Sequence, residues 1–283
     1  MMMKLIKRIF AVFMILITIP VCCLFYAFKI EPYSVKADQY ELNEEAADKN
    51  GVNIVQVSDL HIKDDFTCRD LAKVVEEINR QDPDIVLFTG DLYDNYAEYN
   101  DDENIIAELQ KIEAGYDKIA VWGNRDYGGG AVRQYAEVME QSGFTLLKNE
   151  NRCITLENGK KILFTGLDDS LLGNPYMPEP PSIYDADYDV LLTHEPDTAK
   201  AYMDYGYDII LCGHSHGGQV NIPFLPKINK AAVATTDLAT EYSGGMYDLN
   251  TLDGSKLYVN TGIGTTHISA RFGVTPVIAV FSV

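Results

Sequence analysis

Five short polar motifs, each directly after an apolar run, hold most of the residues in this chain that could do chemistry. They are Asp59-Leu60-His61, Gly90-Asp91, Gly123-Asn124-Arg125-Asp126, His194-Glu195 and Gly213-His214-Ser215-His216. Four of the five histidines lie in them. Carboxylate, carboxamide and imidazole together make an O and N donor set suited to two adjacent divalent metals, and so to metal-assisted hydrolysis. Taken singly, each motif is weak. Gly-Asp and an isolated Asn are ordinary turn sequences, and a single His-x-His occurs in solvated loops. Five in succession, each behind a strand-like run, are not a packing pattern.

The elements that must position these groups alternate along the chain. Apolar runs at Ile54–Val57, Asp84–Phe88, Ile119–Trp122, Ile162–Thr165, Val190–Thr193, Ile209–Cys212, Leu257–Asn260 and Val277–Phe281 predict strands. Helical spacing appears at Leu71, Val74, Val75 and Ile78, again at Ile105, Ile106, Leu109 and Ile112, and again at Val132, Tyr135, Ala136 and Met139. Strand runs that are apolar throughout imply cover on both faces, and the alternation implies a layered α/β domain. The five motifs sit at the C-terminal ends of their strands, where α/β sheets bind ligands. Gly173–Asp187 and Pro223–Gly245 read as surface loops long enough to shape a site.

The net charge is −19. Residues 1–30 hold Lys4, Lys7, Arg8 and Lys29 and no acid, which leaves 19 basic against 42 acidic residues, a balance of −23, for the rest. So acidic a body repels polyanions, and nucleic acid is excluded as a partner. The five cysteines show no zinc-type spacing and no disulfide framework. Lys4, Lys7 and Arg8 precede an uncharged run from Ile9 to Phe28, long enough to cross a bilayer as a helix. The basic flank predicts a single-pass anchor in the cell membrane, with the N-terminus cytoplasmic and the body extracytoplasmic. Val35-Lys36-Ala37 offers the alternative of a cleaved signal peptide. Residues 1–30 are thus expected to form the anchor, 31–50 a polar linker and 51–283 the functional domain.

In this order the motifs resemble those of the calcineurin-like metallophosphoesterases: D-x-H at Asp59 and His61, G-D at Asp91, G-N at Asn124, a lone His at His194, and G-H-x-H at His214 and His216. The resemblance extends over residues 52–283, and the anchor with the Gly262-Ile263-Gly264 and Arg271-Phe272 tail is similar to a membrane-associated bacterial branch. It implies a layered β-sandwich flanked by helices and two divalent metals, Mn, Fe or Zn. Asp59, His61 and His216 would hold one, Asn124, His194 and His214 the other, and Asp91 would bridge them. A hydroxide between the metals would then cleave a phosphodiester or phosphoanhydride in line with the leaving group. The implied partner is a phosphorylated small molecule or a lipid-linked substrate at the membrane surface.

One departure stands out. The family's third motif usually places His after Asn, where this chain has Arg125. Arginine stays protonated and binds phosphate in a bidentate way, so the site should favour leaving groups that depart without a proton. The same Asn-Arg-Asp form resembles the bacterial UDP-diacylglucosamine hydrolases. Alternatively Arg125 pairs with Asp94 or Asp126. His267 and Arg271 are further candidates to touch substrate, and Tyr93, Tyr96, Tyr127, Tyr176 and Tyr184 are candidates for the mouth of the site. Competing functional readings are a non-catalytic interaction module, a phosphomonoesterase, an intracellular nucleotide phosphodiesterase and a phosphoprotein phosphatase. The first would be expected to lack ligands, and none is missing.

Overall fold

The computed structural model describes residues 2–42, 51–233 and 236–283. Two six-stranded sheets pack face to face. The first runs in the order β1 (Lys36–Glu41), β12 (Val277–Ser282), β2 (Asn53–Val57), β3 (Ile85–Phe88), β4 (Asp117–Ala120), β5 (Thr145–Leu146). The second runs β10 (Gly245–Asp248), β11 (Lys256–Val259), β9 (Ile209–Cys212), β8 (Tyr188–Leu192), β7 (Lys161–Gly166), β6 (Glu150–Thr155). Strands β2 to β5 are parallel, as are β7, β8, β9 and β11, so their C-terminal ends gather on one rim.

The apolar runs explain the layers. Ile54, Leu87 and Ile119 from the first sheet meet Phe164, Leu192 and Leu211 from the second in one buried cluster. The outer face of the first sheet is covered by α2 (Cys68–Arg80), α3 (Asp102–Leu109) and α5 (Tyr135–Gln141). Helix α2 buries Leu71, Val74, Val75 and Ile78, the stripe its spacing predicts, and starts where the Asp70 carboxylate accepts the Thr67 N–H at 3.3 Å. Cys212, Leu257 and Ala199 pack in a smaller cluster on the outer face of the second sheet, beside α6 (Ala199–Tyr202).

The N-terminal run forms α1 (Met2–Lys29), long and apolar enough to cross a membrane and open to solvent over its apolar window. A helix of this kind at this end fits a membrane span or a signal sequence.

Three expectations need correction. Residues 31–50 are not a linker throughout: Lys36–Glu41 forms β1, pairing in parallel register with β12. Its polar composition suits an edge strand with one half-exposed face, which carries no apolar run to reveal it. Residues 43–50 lie outside the described residues. Pro223–Gly245 contains α7 (Pro226–Val233), starting on a proline that fits the first helical turn. The third expected helix starts at Tyr135, leaving Val132 46% exposed before it.

Candidate metal centre

Each motif lies just past the strand that delivers it, and the loops are tied to one another. After β2, the Asp59 N–H donates to Gly90 O at 2.9 Å and the His61 N–H to Asp91 O at 3.2 Å. Asp91 Oδ1 accepts the Arg125 N–H of α4 (Asn124–Gly128) at 2.8 Å, and Asp126 accepts the Asp91, Leu92 and Gly123 N–H groups at 2.8–3.0 Å. Asp59 accepts the His214 N–H at 3.0 Å and so joins the two sheets at the rim. These approaches need glycine. A Cβ on Gly213 would stand 1.9 Å from Ser58 Oγ, and one on Gly123 would stand 2.3 Å from Asp91 Oδ1. Asp59, His61, Asp91, His214 and His216 all have positive φ, between 43° and 67°. Such left-handed non-glycine residues cost on the order of 1–3 kcal/mol each and persist only where surroundings dictate them.

The side chains converge in two groups. Asp59, His61 and His216 form one, and Asp91, His194 and His214 the other, with the potential ligand atoms in each within 4.8 Å of one another. In the first, His61 Nε2 lies 2.9 Å from His216 Nε2 and 3.7 Å from Asp59 Oδ1. In the second, His194 Nε2 lies 3.4 Å from Asp91 Oδ2, and Asn124 Oδ1 lies 3.0 Å from His214 Nδ1. Asp91 Oδ2 is also 3.5 Å from His61 Nε2, so it stands between the groups.

The imidazoles are oriented from behind. His61 Nδ1 lies 3.1 Å from Asp94 Oδ1, His194 Nδ1 lies 2.6 Å from Thr89 O, and His214 Nε2 lies 2.8 Å from Asp237 O. A ring nitrogen that donates to such a partner leaves its other lone pair for a cation. His194 Nε2 is buried and has no hydrogen-bond partner among the described residues. A buried imidazole nitrogen left bare, facing two carboxylates, is what a metal ligand presents, and the mixed O and N set suits Mn, Fe or Zn. The residues therefore fit a pair of divalent cations.

Charge is distributed to match. Burial alone would raise the Asp59 carboxyl, but His216, His61 and His194 hold it well below the usual range. Asp91 is likewise pulled down against burial by His194 and His61. His194 rises well above its usual range because Asp91 and Asp59 outweigh burial, whereas burial, His61 and Arg271 push His216 well below. Two carboxylates, 0% and 2% exposed, thus stay ionised. Cation binding at such a site displaces protons from the imidazoles.

A cavity of about 440 Å³ opens over both groups, lined by residues of each together with Arg125, Thr236, Thr266 and His267. Arg125 Nη2 donates to Thr266 Oγ1 at 3.1 Å and lies 3.4 Å from His267 Nε2. Among the described residues Arg125 makes no direct ion pair with Asp94 or Asp126; it reaches Asp94 through Thr266, whose hydroxyl donates to Asp94 Oδ1 at 3.1 Å, and its charge is one of those that hold the Asp94 carboxyl down. Arg271 is not in the cavity wall. It is fully buried and donates to the carbonyls of Thr261, Gly262, Gly264 and Val274, with Nη2 3.3 Å from His216 Nδ1. It braces the loop behind the ligands, a correction to its expected contact with substrate. The tyrosines are also elsewhere: Tyr93 and Tyr96 donate to Asp102, Tyr127 to Asp168 and Tyr184 to Glu179, while Tyr176 is exposed. The orienting role of Asp94 was visible only as an acid three residues after Asp91. The carbonyls of Thr89 and Asp237 leave no trace in residue types.

Residues 52–218 match the calcineurin-like phosphoesterase family. The chain belongs to that family. It is a metal-dependent phosphoesterase with a mixed α/β sandwich. Among its relatives, the metallophosphoesterase YkuE of Bacillus subtilis is 35% identical over 91% of this chain and 88% of its own length. The UDP-2,3-diacylglucosamine pyrophosphatase LpxG of Chlamydia trachomatis is 25% identical over 87% and 88%, and the phosphodiesterase YaeI of Escherichia coli 26% identical over 66% of each. A dimetal phosphatase from Danio rerio superposes with a TM-score of 0.48 at 12% identity, covering 77% of this phosphoesterase and 90% of that chain.

Proposed function

We propose that this phosphoesterase is a membrane-anchored dinuclear hydrolase that cleaves phosphodiester or phosphoanhydride bonds at the membrane surface. The observation that carries the reading is the position of Asp91 Oδ2, 3.5 Å from His61 Nε2 and 3.4 Å from His194 Nε2. One carboxylate shared by two ligand groups is the geometry of a bridging ligand. In this reading Asp59, His61 and His216 hold one cation and Asn124, His194 and His214 the other. When bound, the Mn, Fe or Zn pair supplies positive charge to phosphoryl oxygens and acidity to attacking water.

The chain's own residues do the rest. Arg125 presents a fixed guanidinium at the cavity wall and binds a phosphate oxygen of the substrate, its side chain aimed by Thr266. His267 borders the same space and contacts the substrate beside it. Asp94 and the carbonyls of Thr89 and Asp237 keep the imidazoles aimed. An arginine in the third motif suits leaving groups that need no proton, such as a nucleoside phosphate. The names of the relatives LpxG and YaeI point to the same two bond classes. In this reading the N-terminus lies in the cytoplasm and the domain outside, which the basic flank of α1 supports.

The test is turnover by the full chain in detergent, stripped of metal and reloaded with Mn, on bis-p-nitrophenyl phosphate, p-nitrophenyl phosphate and a UDP-sugar. Metal-dependent cleavage of the diester or the UDP-sugar, with little of the monoester, is expected. Preference for the monoester overturns the bond class. No bound metal and no turnover overturns the enzyme reading.

A further inference from the structure

The segment between His216 and Asp237 leaves the metal centre and returns to it. It starts at a ligand residue and ends at Thr236, in the cavity wall, and Asp237, whose carbonyl meets His214. Between these points it presents an apolar tip to solvent. Phe224 is 99% exposed with φ 66°, Leu225 is 45% exposed and Ile228 50% exposed. The tip is a built shape: Asn229 accepts the Ile222 N–H at 2.8 Å and donates back to Ile222 O at 3.0 Å.

The place where this arm stands says what covers it. The Asn221 N–H donates to Phe272 O at 2.7 Å, and the Phe272 N–H donates to Gln219 O at 2.9 Å. Phe272 in turn packs edge-on against Tyr26 of α1, with ring centroids 6.2 Å apart. The Arg271 N–H donates to Ala27 O, and the Gly273 N–H donates to Glu31 Oε2 at 2.8 Å. Tyr26 and Ala27 belong to the last turn of the apolar helix. The arm is therefore rooted on the same backbone that grips α1 where its apolar run ends. Ile268, 60% exposed, belongs to that loop as well, beside His267 of the cavity wall. Local charge agrees. The chain carries −19 overall, yet residues 222–229 hold Lys227 and no acid, and α1 ends on Lys29. Exposed apolar side chains with a local basic excess suit an interface of acyl chains and anionic headgroups.

We propose that residues 222–229, with Ile268, seat in the bilayer surface that α1 leaves, so that the cavity opens at the membrane plane. The substrate class follows: a phosphorylated amphiphile whose phosphate enters the cavity beside Arg125 while its apolar part remains in lipid. This rests on the reading of α1 as a membrane span.

The test places tryptophan in the full chain, reconstituted in vesicles of phosphatidylcholine and phosphatidylglycerol with brominated acyl chains. The native background is the single Trp122, 6% exposed inside the domain. Leu16→Trp reports the anchor. Phe224→Trp reports the arm. Leu252→Trp, in the β10–β11 turn at the opposite end of the sandwich, is the control. Quenching of the added emission in the first two, with none in the third, is expected. Quenching at Leu16 alone overturns the seating and leaves the anchor. Quenching at none overturns both. As a second measurement, Phe224→Asp combined with Ile228→Asp should slow cleavage of vesicle-embedded hexadecyl p-nitrophenyl phosphate by about tenfold or more, since two apolar groups no longer enter lipid. Cleavage of soluble bis-p-nitrophenyl phosphate should stay within about twofold. Equal losses on both substrates overturn the proposal.

Discussion

The two rims of the sandwich use the same residue type in opposite ways. At the C-terminal rim Asp59 and Asp91 are 0% and 2% exposed, and imidazoles on every side hold both ionised. At the far rim Asp189, the second residue of β8, has one buried carboxylate oxygen with no hydrogen-bond partner among the described residues, and its own N–H donates to Asp208 at 2.7 Å. Burial and the Asp208 charge push Asp189 up to about 6. Positive φ occurs at both rims, at the far rim on Gly206 and Gly254 but also on Asp82, Asp185 and Asn250, and at the site on five of the converging residues. Asp59 and Asp91 stay ionised because imidazoles answer them, whereas Asp126 on the same rim, held by backbone N–H groups, is pushed up to about 8 by burial and the Asp91 charge.

The comparison can be broken at its strongest point by Asp91→Ala. Loss of the shared carboxylate should lower kcat by roughly 10³-fold or more, several kcal/mol of charge stabilisation, and remove bound metal with it. Retained turnover with intact metal content would deny the bridging role. Asp94→Asn is subtler, because the ring of His61 stays but its partner weakens. Metal affinity should fall about 10–100-fold, read by competition with a chelator. Arg125→His should shift the preference between alkyl diesters and anhydrides by about tenfold towards the diesters, short of the roughly 10²-fold of a well-placed acid. An unchanged ratio would mean that Arg125 does not set the leaving group.

The smallest effect tests the far rim. In the folded protein Asp189 takes up its proton at a higher pH than in the unfolded chain, so between about pH 4 and 6 the native state binds more protons. Stability from this group is therefore present at low pH and is lost as pH rises through that window. Asp189→Asn should stabilise the protein by about 1 kcal/mol at pH 7, allowing for solvent screening, and leave it unchanged near pH 4. Denaturation at the two pH values reads the difference.

What was legible in the sequence follows the same physics. Strands buried on both faces announce themselves as unbroken apolar runs, and five of these end in the residues of the site. Polar edge strands do not, so Lys36–Glu41 reads as linker. Helix α7 hides behind Pro223 and Pro226, which read as loop until the second is seen at a helix start. The candidate ligand residues are legible because their types are rare and ordered. Arg271 is not, because its partners are backbone carbonyls that any sequence possesses.

The most direct measurement is anomalous diffraction from crystals of the Mn-loaded protein, recorded at the metal edge. Two ions are predicted, one among Asp59, His61 and His216, the other among Asn124, His194 and His214, with Asp91 touching both. A single ion, or ions that leave His194 Nε2 without a ligand bond, would contradict the account.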